Sequence, residues 1–379
     1  MKNNSANIVF RCDASLEIGN GHLMRCRTLA IKITQFLNAR VIFICQEANI
    51  KLLKIIEKDF DLLILKKNQY KEQRYFLGSN GYFNWFSKIQ KKDAYLCKEI
   101  LIKNNIKNIN LLVLDHYGID KNWEDIFIKE WGINEIGKIF IIDDLANRKH
   151  NCDFLLDQTY KRKKKDYLNL LPNNATIFVG SEYALIRDEF LKARQDKIHN
   201  NFNGKKLFKI LIYLGEVDNN LIYSEILDGI KKIFDYKFEV TLIANLKIEE
   251  KDKFKKIYES KFQMLRFVNF ADEIWKFMLE ADISIGAAGS TAWERACIGI
   301  PSIVIVNAEN QIKIGNILKT EKCSIVINND VNLANSIYFY LNNLISDEKL
   351  QFKLIQKSKK ICDGKGADRI FSKIEEIFD

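Results

Sequence analysis

The chain has 379 residues, 47% of them hydrophobic and 28% charged, with a formal charge of +10; that is enough for two domains with their own cores and excludes a disordered or fibrous protein. No apolar run approaches a membrane span, residues 1–7 are too polar to open a signal peptide, and the eight cysteines stand singly, without Cys-x-x-Cys or Cys/His spacing for zinc. A cytoplasmic protein with reduced thiols and no stable membrane insertion is expected.

Ile8-Val9-Phe10 predicts the first strand. The stretch Arg11–Ala30 follows, a loop with Gly19 and Gly21 that runs into a helical pattern in which Leu23, Cys26, Ala30, Ile33 and Leu37 fall near one face. Strand, glycine loop and helix form an anion site, because free N–H groups and the positive end of the helix dipole point into the loop. Met24 stands where a dinucleotide fingerprint needs its third glycine. His22 sits at the start of the helix. Two readings of it stay open on spacing alone: a general base or acid, or a ring that merely caps or packs.

Continuous apolar runs at Val41–Cys45, Leu62–Leu65, Leu111–Leu114 and Ile139–Ile142 alternate with helical patterns around 52–57, 94–103 and 123–131. This predicts a parallel sheet covered on both faces. Asn68–Lys91, rich in Tyr, Phe and Trp, breaks the rhythm and reads as an insertion over the cleft or a packed loop. The positive charge is spread along the chain. Its one dense run, Lys161-Arg162-Lys163-Lys164-Lys165, has no interleaved aromatic residues, so a solvated loop is expected and no nucleic-acid partner.

The polar stretch Lys192–Lys206 marks the expected domain boundary. Strands are then predicted at Phe208–Leu214, Phe238–Ala244, Met264–Val268, Ile283–Ile285, Ser302–Val306 and Cys323–Ile327. The expected division is 1–195, 206–350, and a helical segment 351–379 returning to the first domain. Two doubly wound halves in tandem direct the carboxyl ends of their strands toward a shared cleft. The second half has its own glycine loop, Gly286-Ala287-Ala288-Gly289-Ser290-Thr291, ahead of a helix that ends at Gly299-Ile300-Pro301. Small residues there admit a diphosphate to the backbone, and Ser290 and Thr291 can donate to it or cap the helix. Glu294, one turn in, suits the two hydroxyls of a ribose, or else serves a capping box. Asn310 and Gln311 carry amides suited to a sugar.

These motifs in this order resemble the UDP-2,4-diacetamido-2,4,6-trideoxy-β-L-altropyranose hydrolases of pseudaminic acid biosynthesis, which are similar to nucleotide-sugar glycosyltransferases of the GT-B fold. The specific stretches are Arg11–Ala30 and Gly286–Gln311. The likeness continues through Asp115-His116-Tyr117-Gly118, Ile142–Arg148, Leu155–Gln158, Tyr183–Arg187 and Cys362–Arg369. It implies an α/β protein of GT-B type, two doubly wound Rossmann-type domains facing across a cleft. It also implies hydrolysis of the UDP-sugar to 2,4-diacetamido-2,4,6-trideoxy-L-altrose and UDP, by attack of water on C1 with inversion and without a cofactor or metal.

By the same resemblance His22 is the base; Gly215, Gly289, Ser290, Thr291 and Glu294 hold UDP; and Gly21, His116, Tyr117, Asp144, Arg187, Asn310 and Gln311 face the sugar. Asp143 and Asp144 have an alternative as turn and helix caps. Asp59-Phe60-Asp61 has the spacing of a metal motif but reads as a surface turn. One departure stands out: where family members carry Gly-Gly-x-Asp, this chain has Gly215-Glu216-Val217-Asp218, and a carboxylate beside phosphates is electrostatically unfavourable. The rival readings are a GT-B transferase, a 2-epimerase of similar architecture and a non-catalytic UDP-sugar-binding protein.

Overall fold

In a computed structural model of the chain, the apolar runs of the first half become the strands of one parallel sheet. The structure describes residues 6–14, 20–47, 50–70, 78–132, 135–197, 202, 204–215 and 220–378, and the side chains of 50–52, 78–83 and 310 lie outside that description. Two units are distinguished: Met1–Leu185 with Lys365–Asp379, and Ile186–Gly364.

In the first unit the elements run β1 (Ala6–Cys12), α1 (Gly21–Phe36), β2 (Ala39–Gln46), α2 (Ile50–Glu57), β3 (Asp61–Leu65), α3 (Gly78–Lys103), β4 (Ile109–Asp115), α4 (Lys121–Trp131), β5 (Ile136–Ile142), β6 (Phe154–Asp157) and β7 (Thr176–Val179). The sheet order is β3-β2-β1-β4-β5-β6-β7, with Ile8 of β1 opposite Val41 on one side and Leu111 on the other. Helices cover both faces, so the central strands are apolar throughout. Phe10 stacks on Phe43 at 4.8 Å in this core. Each such buried side chain contributes about 1.5–3 kcal/mol.

The second unit continues with α5 (Asp188–Asp196), β8 (Leu207–Tyr213), α6 (Asn220–Lys231), β9 (Lys237–Ile243), α7 (Ile248–Tyr258), β10 (Met264–Val268), α8 (Ile274–Glu280), β11 (Ile283–Ala287), α9 (Thr291–Ile298), β12 (Ser302–Val306), α10 (Ile312–Thr320), β13 (Ile325–Asn328), α11 (Leu333–Ser346) and α12 (Glu348–Ile361). Its strands order as β10-β9-β8-β11-β12-β13 and all pair in parallel. The last helix, α13 (Gly366–Ile374), belongs to the first unit.

Three differences from the sequence expectation have physical causes. From Gly78 onward, the stretch at 68–91 is the first part of α3 rather than a loop; Trp85, Phe86 and Ile89 are its buried face, and residues 71–77 lie outside the description. The polar segment 192–206 falls inside the second unit, because Phe190 and Ala193 of α5 are buried there. Residues 351–364 also stay with the second unit, where Leu354 joins its core. The basic run holds a short helical turn, and its Arg162 pairs with buried Asp157. Asp59 and Asp61 pair with Arg27 and Arg40. All eight cysteines are buried thiols. Among the described residues no helix is long and apolar enough to cross a membrane.

Each sheet has one place where the order of its strands reverses: between β1 and β4, and between β8 and β11. Loops leaving neighbouring strands in opposite directions open a crevice at such a point, and ligands of doubly wound folds bind there.

Candidate functional site

In the first unit, α1 leaves β1 beside this reversal, and β4 delivers Asp115 to it. Asn20 precedes α1 and accepts the N–H of Met24 through its carbonyl. Gly21 is the first residue of the helix and His22 the second; Gly19 lies outside the described residues. Asp115 is fully buried and gathers four donors: His22 Nδ1 at 2.6 Å, Arg25 Nε at 2.6 Å, Arg25 Nη2 at 2.7 Å and the Cys26 thiol at 3.5 Å. Burial by itself would raise the Asp115 carboxyl, but Arg25 and His22 outweigh it and hold the group well below the usual carboxylate range. An ionised Asp115 assigns the Nδ1 proton to His22, and Nε2 carries the lone pair. Among the described residues nothing hydrogen-bonds to Nε2.

Arg25 also pairs with Asp144, which accepts the Tyr117 hydroxyl at 3.0 Å. The Tyr117 ring meets the His22 ring edge to face at 4.5 Å. Burial first, and then Asp144, raises the Tyr117 phenol, so it stays protonated as the donor of that bond. Of the expected sugar-facing residues in this unit, Tyr117 and Asp144 therefore share one cluster with His22.

His116 does not join them. Its Nδ1 accepts the Gly118 N–H at 3.0 Å, its Nε2 lies 3.3 Å from Asp13, and Phe86 covers its ring at 3.9 Å. Burial lowers its pKa, which keeps the ring neutral. Neither nitrogen is left for a sugar; the ring belongs to the buried group of Arg11, Asp13 and Asp93, which Tyr70 and Trp123 complete with donors to Asp93. Asp143 is a loop cap, accepting Leu145 N–H and Ala146 N–H and pairing with Arg148 at 2.9 Å. The cap reading of the acidic pair thus holds for Asp143, while Asp144 pairs with Arg25 and Tyr117. His150 is buried against Glu124 at 2.6 Å, and His199 lies outside the described residues.

The second unit presents its own reversal with Gly215 and the start of α9. Gly215 has φ +78°, a left-handed conformation that favours glycine, and a Cβ there would meet nothing within 4 Å. Glu216 lies outside the described residues. Ser290 precedes α9 without a side-chain cap, and the N–H groups of Gly289, Ser290 and Thr291 have no acceptor among the described residues. Gly289 faces open space. Uncapped N–H groups at the positive end of an eight-residue helix are suited to an anion. The helix is held from behind, where Arg194 of α5 donates to the Cys297 carbonyl at 2.8 Å, and it closes at Gly299 with φ +80°.

Glu294 is half-buried one turn into α9, and desolvation raises its carboxyl against the pull of Arg187 and Arg295. Arg187 is held within the second unit: it donates to the Asp272 carbonyl at 2.8 Å, lies over Trp275 at 4.9 Å and stands 3.8 Å from Glu294. It steadies Glu294 from this position. Gln311 accepts the Asn307 N–H at 3.2 Å and closes the turn after β12. The Asn310 side chain lies outside the description. No sequence motif assigns a role to Asp115, Arg25, Arg295 or Asn307. Asn307 Oδ1 is buried without a partner among the described residues; an amide directly after a strand end is the signal that marks it.

Residues 176–369, which include the whole second unit, match the family model of the glycosyltransferase family 28 C-terminal domain. An uncharacterized protein of Methanocaldococcus jannaschii, MJ1062, is 24% identical over 306 residues, 79% of this chain and 55% of that protein, so the chain spans about half of that relative's length. The UDP-2,4-diacetamido-2,4,6-trideoxy-β-L-altropyranose hydrolase of Campylobacter jejuni is 25% identical over 304 residues, 80% of this chain and 93% of that protein. Among solved structures, MurG of Acinetobacter baumannii aligns with a TM-score of 0.62 at 11% identity, covering 98% of this chain and 99% of that one. The last likeness is one of fold, of the GT-B type.

Proposed function

The chain belongs to the family of the glycosyltransferase family 28 C-terminal domain, and from that premise we propose that it is an enzyme acting on a UDP-sugar. Its reaction is hydrolysis of UDP-2,4-diacetamido-2,4,6-trideoxy-β-L-altropyranose, as in the Campylobacter relative's name. The observation that carries this reading is the Asp115–His22 pair: the buried carboxylate accepts from Nδ1, 2.6 Å away, which leaves Nε2 as the basic atom. Nε2 takes a proton from water as its oxygen bonds to C1; the C1–oxygen bond to the diphosphate breaks, and UDP leaves with the electron pair. General-base help of this kind is worth about 10²–10⁴-fold.

The uncapped N–H groups of Gly289, Ser290 and Thr291 support the second half of the reading, because they are fixed before the leaving diphosphate arrives and need no reorganisation. Glu294 accepts from the ribose hydroxyls. Tyr117 and Asp144 position His22 and contact the sugar.

Incubation of the purified protein with the UDP-sugar and no acceptor tests the proposal: free sugar and UDP appear in equal amounts. His22→Ala abolishes turnover and leaves UDP binding intact. The family's name favours a transferase as the second reading, and a strict requirement for a sugar or lipid acceptor would establish it in place of hydrolysis. UDP-bound product of altered stereochemistry would mean an epimerase, and binding without turnover a binding protein.

A further inference from the structure

Arg295 lies in the middle of α9, and its side chain folds back beneath the glycine loop. It is 2% exposed. Nη2 donates to the Ala287 carbonyl at 2.6 Å and Nη1 to Thr291 Oγ1 at 3.1 Å. Nε has no partner, and among the described residues no carboxylate lies within ion-pair distance of this guanidinium. Gly286 leaves room for it: a Cβ there would stand 2.8 Å from Arg295 Cζ and 2.9 Å from the Tyr213 carbonyl oxygen. A buried cation is usually paired, since desolvating an unpaired charge costs several kcal/mol. Burial brings the Arg295 pKa down to about 10, which leaves it charged at neutral pH.

Thr291 Oγ1 spends a lone pair on Arg295, so its own proton points elsewhere. The residue stands at the first turn of α9, among the uncapped N–H groups. We propose that Arg295 is a positioning residue for the nucleotide's diphosphate: it orients the Thr291 hydroxyl as a donor to a phosphate oxygen and places a fixed positive charge under the Gly286–Thr291 loop. This deepens the UDP reading and rests on it. Glu294 acts on this charge from beyond ion-pair distance, and the bound anion adds a second counter-charge. Lysine does not replace arginine here, because an ammonium lacks the planar fork that reaches Ala287 and Thr291 together.

Calorimetric titration of the full chain with UDP and with uridine tests this. Arg295→Lys and Thr291→Val each weaken UDP binding about 10-fold or more, the scale of a hydrogen bond to a charged group, and leave uridine affinity unchanged. In the Arg295→Lys background, Thr291→Val costs less than in the unmodified chain, since both changes remove one device. Equal losses for UDP and uridine, or strictly additive losses, would overturn the proposal and leave Arg295 a structural residue. If Arg295→Lys does not fold, Thr291→Ser against Thr291→Val decides: serine retains the affinity for UDP and valine loses it, and equal affinities refute the oriented hydroxyl. Failure of the unmodified chain to bind UDP would overturn the nucleotide reading itself, and this inference with it.

Discussion

Asp115→Asn isolates the chemistry of the His22 pair while preserving shape. The carboxylate accepts His22 Nδ1 and Arg25 Nη2 on Oδ1, and Arg25 Nε and Cys26 Sγ on Oδ2, with no exposed surface. An amide offers one acceptor and one donor group. With its NH₂ toward His22, the imidazole must move its proton to Nε2, and the base disappears. With NH₂ toward Arg25 Nε, two donors face each other.

The first arrangement removes general-base help and lowers kcat by about 10²–10⁴, with little change in KM. The stability loss is that of a hydrogen bond to a charged group, about 1.5–3 kcal/mol. It stays below the 3–5 kcal/mol or so of a fully broken buried pair because Arg25 retains Asp144. The measurement is initial-rate UDP release across pH, with folding checked by urea denaturation. Combining the change with His22→Ala adds nothing to His22→Ala alone, because the two residues act as a unit. A folded Asp115→Asn enzyme with kcat within about tenfold of wild type, or with strictly additive losses, would mean that Asp115 does not set the proton on His22.

Other perturbations read different parts of the site. Burial raises the Glu294 carboxyl, so its charge is a cost to the folded state; Glu294→Gln should melt at the same temperature or higher while UDP affinity drops about 10-fold, and a lower melting point with unchanged affinity would reverse the assignment. Gly286→Ala pushes a methyl against Arg295 and the Tyr213 carbonyl and should cost about 1–3 kcal/mol in urea unfolding; a neutral result would mean that the guanidinium moves freely. Asp13, Asp115 and Asp143 are buried, yet their arginine and histidine neighbours hold them below the ordinary carboxylate range. Their stabilisation is therefore complete above the unfolded pKa of about 3.9 and is lost as pH falls through the lower folded values. Urea midpoints should be flat from neutral to about pH 5 and fall below about pH 4; a constant midpoint down to about pH 2 would contradict these ion pairs.

The apolar runs made the two sheets legible because parallel strands covered on both faces leave no other pattern; β6 and β7, four residues each, are too short to make one. The glycine-bearing stretches that follow β1 and β11 lie beside the two strand-order reversals, and that placement is what made the reversals legible. Partners were the illegible part. Asp115 is 93 residues from His22, and nothing local in Asp115-His116-Tyr117 says which side chain turns toward α1. One step along the strand end separates Tyr117, beside His22, from His116, sealed behind it by Phe86 and Asp13. Arg187 fitted an anion contact by residue type, but Asp272 and Trp275 engage it. A guanidinium advertises its charge in the sequence and conceals its neighbour.

The return of α13 to the first unit has a consequence for synthesis on the ribosome. Ile370, Phe371 and Ile374 complete the same core as Leu29 and Ile33, Phe371 stacks on Phe36, and Lys32 meets Asp368. About 180 residues of the second unit are translated between the two halves of that core, a delay of roughly 10–35 s at ordinary elongation rates. The first unit thus waits on the second, and the nascent chain carries an open apolar seam along α1 until α13 emerges.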